Sequence, residues 1–264
     1  MTEIIGFALA IVIGISLGLI GGGGSILTLP ILVYLLGINP VLSTAYSLFV
    51  VGSTSLIGSF TYMKKGLVNY KTAIIFAIPS FIAVFLTRKY LMPAIPEELF
   101  QLGSFVVTKD LAIMVLFALV MLMASYSMIT DNKPESAEDG VLKFNYPLIA
   151  AEGLVVGTLT GVVGAGGGFL IIPALVLLVR LPMKMAVGTS LLIIAAKSLI
   201  GFMGDVGNQV IDWQFLLTFT GLSIVGIFIG TYLTKYIPGA KLKKFFGWFV
   251  LAMAVYILLK EIVL

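Results

Sequence analysis

The 264-residue chain is 60% hydrophobic and only 11% charged, with a net charge of +4. Soluble domains carry about 25% charged residues, so the composition excludes a water-soluble globule and defines an integral membrane protein. With neither cysteine nor histidine, disulfides, thiolate or imidazole metal sites and histidine proton relays are excluded; no cofactor or metal is expected. The basic residues lie in loops between apolar runs and form no stripe that would follow nucleic acid.

Met1-Thr2-Glu3-Ile4 lacks the basic run that opens a cleaved signal peptide, so the first apolar run is expected to stay as a helix. Apolar helices are predicted over 4–20, 25–36, 44–62, 73–91 and 111–129, then over 146–163, 169–179, 186–203, 215–234 and 245–263. Most approach the roughly 17–25 residues that cross a bilayer, and a spanning helix satisfies its own backbone. The runs do not alternate as barrel strands do. Between the two sets lies a polar linker holding Asp131, Lys133, Glu135, Glu138 and Asp139. The fold class is therefore an all-α membrane protein. Its expected parts are a first transmembrane repeat over 1–129, a cytoplasmic linker over 130–144 and a second repeat over 145–264.

The halves repeat one another. At a constant offset of 143, residues 14–58 align without gaps to 157–201. Gly14, Gly18, Gly21, Gly23, Gly24, Pro30, Ser47, Ser55 and Gly58 are among the positions with identical partners, and Asn69-Tyr70 falls on Asp212-Trp213. The register is expected to fail at an insertion over 97–108. Matching loops carry opposite charge bias: Lys64, Lys65 and Lys71 answer a loop with Asp205 and Asp212, while Arg180 and Lys184 have no basic counterpart in 37–43. Basic residues favour cytoplasmic loops. If each short segment turns back, eleven bases fall on one side and four on the other; if it does not, the split is nine against six. The first arrangement predicts inverted repeats, each of four long helices and one short one, with both termini outside.

Each short segment follows a glycine run, 21–24 in one half and 166–168 in the other, and leads to Pro30 or Pro173. Glycine runs break helices, and broken backbone within a bilayer is tolerated only inside protein or beside a watery cavity. The unpaired N–H groups and positive dipole end of the helix that follows suit an oxyanion. Paired breaks in two halves mark a transporter's binding site; the alternative reading is that the glycines only allow close helix packing. No Gly-Lys-Ser/Thr follows either run, so neither is a P-loop. The candidate substrate-binding residues are Gly22, Gly23, Gly24, Ser25, Thr28 and Ser47, with Gly166, Gly167, Gly168, Ser190 and Lys197 from the second half. Ser47 and Ser190 are equivalent, and Lys197 matches Thr54. Lys197 and Glu152 are ionisable residues within apolar segments, where such groups face a cavity or a partner. Lys197 is the candidate counter-charge for an anion, and Glu152 the candidate carrier of a coupling proton.

The duplicated pattern, 18–24 leading to Pro30 and 161–168 leading to Pro173, resembles the TauE/SafE sulfite exporter family. The resemblance covers essentially the whole chain. It implies transport of a small sulfur-containing oxyanion, sulfite or an organosulfonate, across a prokaryotic plasma membrane, with export coupled to the proton gradient. The partners expected are a small anion, protons or another coupling ion, and the lipid bilayer; the large apolar faces are compatible with a homodimer. An enzyme is not expected, because Glu152 and Lys197 make no catalytic constellation. The alternatives are a passive anion channel or a carrier for an unrelated small anion.

Overall fold

The computed structural model describes residues 2–102, 105–130, 146–163, 168–205 and 210–262. In the first half, α1 (Thr2–Ile20) ends at Gly21, whose φ of +74° turns the chain. Helix α2 (Gly23–Pro30) then packs back on α1, with Gly24 pressed against Leu17 and the Ile13 carbonyl. It passes into a π-helical turn, Ile31–Leu35. Helices α3 (Pro40–Lys64) and α4 (Tyr70–Leu86) follow; α4 continues through a π turn, Thr87–Leu91, into the short α5 (Met92–Ala94). A hairpin of β1 (Glu98–Leu102) and β2 (Phe105–Thr108) leads to α6 (Lys109–Thr130). The second half runs α7 (Tyr146–Val163), α8 (Gly168–Pro173), a π turn (Ala174–Leu178), α9 (Met183–Asp205), α10 (Trp213–Leu233) and α11 (Gly239–Ile262).

Local geometry recurs at the 143-residue offset. Pro30 and Pro173 cannot donate to the ladder, and each is followed at once by a π turn. Leu36 N–H donates to the Ile31 carbonyl at 3.1 Å, and Val179 N–H to the Ala174 carbonyl at 3.2 Å. Left-handed backbone comes next in both: Gly37 at φ +66° and Arg180 at φ +60°. Asn69 and Asp212 cap α4 and α10 through side-chain acceptors. Their own N–H groups cross to the opposite half, Asn69 to Thr189 Oγ1 at 3.0 Å and Asp212 to Tyr46 Oη at 2.8 Å. Thr189 and Tyr46 are themselves equivalent positions.

The halves interlock through α1 with α10, α4 with α7, α3 with α9 and α6 with α11. Small residues allow the backbones to approach. Gly14 faces the Ser223 carbonyl and Gly18 the Ile227 carbonyl, so α1 and α10 run in the same sense. Gly157 faces the Ser80 carbonyl and Gly161 lies on Val84, which repeats those contacts with the halves exchanged. Helices α3 and α9 run in opposite senses: Gly52 meets Leu199, Gly58 meets Leu191, and Gly188 meets Tyr62. At one end Phe7 and Tyr46 both pack on Phe215 at 5.8 Å; at the other Tyr62 Oη donates to the Gly18 carbonyl at 2.8 Å. Helices α1 and α3 are thus codirectional, and the arm between them returns the chain.

Among the described residues, five helical stretches are long and apolar enough to cross a membrane: Tyr70–Leu91, Leu111–Thr130, Met183–Met203, Trp213–Leu233 and Ala240–Lys260. Ile5–Ile20, Ile26–Leu35 and Pro147–Val162 are shorter apolar helices. The chain is thus a helical multi-pass membrane protein. The all-α expectation needs one correction. The insertion forms an antiparallel hairpin pairing Glu98 with Thr108 and Leu102 with Phe105, because the aromatic and β-branched Phe100, Phe105, Val106 and Val107 favour paired extended chain over helix. The linker over 131–144 lies outside the described residues.

Candidate functional site

Gly22, a residue without a side chain to cap with, is the N-cap of α2 at φ −130°. A Cβ on Gly21 would come 2.7 Å from Ser190 Oγ and 3.0 Å from Val187. The break in the first half is therefore set against a helix of the second, at the serine equivalent to Ser47. Helices α2 and α8 also touch one another. Gly23 and Ser25 stand in the first turn of α2, and Gly168 begins α8; Gly166 and Gly167 lie outside the described residues. Thr28 is buried, and its hydroxyl donates to the Gly24 carbonyl at 2.7 Å, which commits its proton within the helix.

The long helices α3 and α9 carry the polar interior. Ser190 Oγ donates to the Val187 carbonyl at 2.9 Å. Ser47, Thr54 and Ser55 on α3 and Ser198 on α9 are fully buried, and their hydroxyls make no hydrogen bond among the described residues. A buried hydroxyl left unpaired costs about 1–3 kcal/mol, so these groups favour a polar guest. Thr54 and its counterpart Lys197 fall between the Gly52–Leu199 and Gly58–Leu191 contacts, at the level where α3 and α9 cross.

Lys197 is 4% exposed, and its ammonium donates to Thr160 Oγ1 at 3.0 Å. Thr160 in turn donates to the Gly157 carbonyl at 3.1 Å. Gly157 sits directly on the α4 backbone at Ser80, so the threonine holding the ammonium is anchored at a tight helix contact. Glu152 is 8% exposed, and neither carboxyl oxygen is hydrogen-bonded among the described residues. It lies on α7 beside Gly153, about 12 Å along the helix axis from Thr160. The first half offers Leu9, Leu17 and Thr54 where the second has Glu152, Thr160 and Lys197. Charge is thus confined to one side of a repeated frame. Thr160 is the residue that sequence reading missed. Its signal was a hydroxyl matched to a leucine, on the helix that also holds Glu152.

Interlocked apolar helices, a helix broken at glycines and a buried ammonium on helices that also bury unbonded hydroxyls are features that suit a membrane transport protein. The chain matches the family described as "Sulfite exporter TauE/SafE" over residues 6–257 and belongs to it. It is 30% identical over 251 residues to a "Probable membrane transporter protein" of Xylella fastidiosa strain 9a5c, covering 93% of this chain and 91% of that one. It is 29% identical over 238 residues to "Probable membrane transporter protein YunE" of Bacillus subtilis strain 168, covering 80% and 82%. The chain is thus a membrane transporter of the TauE/SafE family rather than an enzyme.

Proposed function

We propose that the protein is a secondary transporter that exports a small sulfur-containing oxyanion, sulfite or an organosulfonate, across a prokaryotic plasma membrane by alternating access driven by the proton gradient. The observation that carries this reading is the Lys197 ammonium, buried and donating to Thr160, on a helix pair, α3 and α9, that also buries the unbonded hydroxyls of Thr54, Ser55 and Ser198. A buried positive charge on helices that also bury neutral hydroxyls suits a small oxyanion and disfavours a cation. Gly22, Gly23, Gly24, Ser25 and Thr28, with Gly166, Gly167, Gly168, Ser47 and Ser190, complete the proposed substrate path, and Glu152 carries the coupling proton. The two halves act as inverted repeats. The opposed running of the equivalent helices α3 and α9 supports this, as does the arm that returns the chain between α1 and α3.

The test is sulfite uptake into proteoliposomes with and without an imposed pH gradient, for the parent protein, Lys197→Ala and Glu152→Gln. Accumulation that follows the gradient, weakens in Lys197→Ala and becomes gradient-independent in Glu152→Gln is the expected result. Equilibration regardless of pH in the parent protein would favour a channel. Absence of sulfite flux moves the substrate to the organosulfonates, tested in the same vesicles.

A further inference from the structure

Three chain segments bring ammonium groups together at one end of the helices. Lys65 lies in the turn after α3, Lys184 in the first turn of α9, and Lys235 just beyond α10. Gly188, one turn past Lys184, packs on Tyr62 and the Leu67 carbonyl, which draws the start of α9 to the Lys65 turn. Lys65 Nζ donates to the Thr231 carbonyl at 3.2 Å, which draws the same turn to the end of α10. Lys65 Nζ also lies 5.4 Å from the Tyr62 ring centroid, and Lys235 Nζ 5.2 Å from that of Tyr232. The exposed Tyr232 and Tyr236, whose hydroxyls are 3.0 Å apart, mark headgroup depth, where tyrosine is enriched. No carboxylate among the described residues pairs with these lysines. Burial, then the charges of Lys235 and Lys184, hold the Lys65 ammonium below the usual lysine range.

Arg180 adds a second, independent observation. It stands four residues before Lys184 with φ +60°, where the equivalent turn uses Gly37 at φ +66°. Left-handed backbone disfavours a side chain, so the exposed guanidinium is kept at this end of α9 against a conformational cost.

We propose that Lys65, Lys184 and Lys235, flanked by Arg180, form a docking site for a phosphate- or sulfonate-type oxyanion at the membrane–water boundary, apart from the buried Lys197 site. An anionic lipid headgroup and a soluble oxyanion share this chemistry. The site stands whether or not sulfite is the transported anion.

The experiment measures retention of phosphatidylglycerol against phosphatidylcholine on the purified full chain by native mass spectrometry, with added sulfate as the soluble competitor. The parent protein is compared with Lys184→Gln/Lys235→Gln, which spares the Lys65–Thr231 contact, and with Lys241→Gln/Lys244→Gln, which removes the same charge from exposed positions on α11. Each lysine near an anionic surface is worth about a fivefold preference. The cluster variant is expected to lose about 25-fold of the phosphatidylglycerol preference, while the α11 variant keeps it. Displacement by sulfate from the parent protein alone assigns the site to soluble oxyanions as well; no displacement assigns it to the headgroup. Equal loss in both variants, or no preference in the parent protein, overturns the proposal. Thermal unfolding of each variant separates lost binding from lost fold.

Discussion

The Lys197 ammonium donates to the Thr160 hydroxyl. Thr160→Val keeps the shape and removes the acceptor, at a cost of about 1.5–3 kcal/mol for a hydrogen bond to a charged group. The KM for the transported anion is expected to rise at least tenfold in Thr160→Val and to recover in Thr160→Ser; a KM unchanged in the valine variant would contradict the positioning role. At the surface, burial and then the charges of Lys235 and Lys184 hold the Lys65 ammonium below the usual lysine range. In Lys235→Gln one repelling charge is gone, so its deprotonation should move upward in pH, read by an NMR titration of ¹³C-dimethylated lysines. Arg180 permits a stability test: Arg180→Gly relieves left-handed backbone worth about 1–2 kcal/mol and should raise the unfolding temperature, whereas Gly37→Arg should lower it. Lys197 and Glu152 were legible in the sequence because a charge in an apolar run stands out. Thr160 was not, since one threonine among many gains meaning only when its partner on another helix is known. Thr28 was legible as a hydroxyl behind the glycine break, but that its proton goes to the Gly24 carbonyl was not.

At the scale of elements, tight pairing of α1 with α10 and of α4 with α7 depends on residues without side chains at the contact. Gly14→Leu would drive a side chain into the Ser223 carbonyl. Overpacking of this kind costs about 1–3 kcal/mol and should lower thermal stability in detergent. Gly221 on α10 faces open space where a methyl group would stand, and Gly221→Ala should be neutral or gain about 0.5–1 kcal/mol of helix propensity. The helices themselves were legible in the sequence as apolar runs, and α7 was placed at both ends. The π turns after Pro30 and Pro173 were not, because nothing in composition separates a wide turn from a regular one. The hairpin of β1 and β2 was visible only as a break in the repeat: strands of five and four residues give a weak signal beside long apolar helices.

For the whole molecule, orientation is the first thing to establish. The chain has no cysteine, so single cysteines report without background. Cysteines at Lys184 and Lys235 should be protected from an impermeant maleimide in intact cells, and those at Lys89 and Lys260 should be labelled. Labelling of 89 and 184 alike would contradict oppositely set halves. Repeat register and loop charge are the sequence signals from which this arrangement is expected. The partnering of each helix was not, because α1 pairs with α10 from the far end of the chain, and periodicity carries no information on distant contacts.

The exchanged contacts have a thermodynamic consequence. Gly14 on Ser223 and Gly157 on Ser80 are one contact made twice, as are the crossed bonds of Asn69 and Asp212. A shape in which each half took the other's conformation would keep nearly the same inventory of close approaches. On the proposed alternating-access reading, two such shapes would form a double well. The tilt between them would be set by the positions where the copies differ, among them Leu9 against Glu152, Thr54 against Lys197 and Gly37 against Arg180. Since about 1.4 kcal/mol changes a population tenfold, a proton or small anion bound at such positions would, on that reading, shift which well is filled.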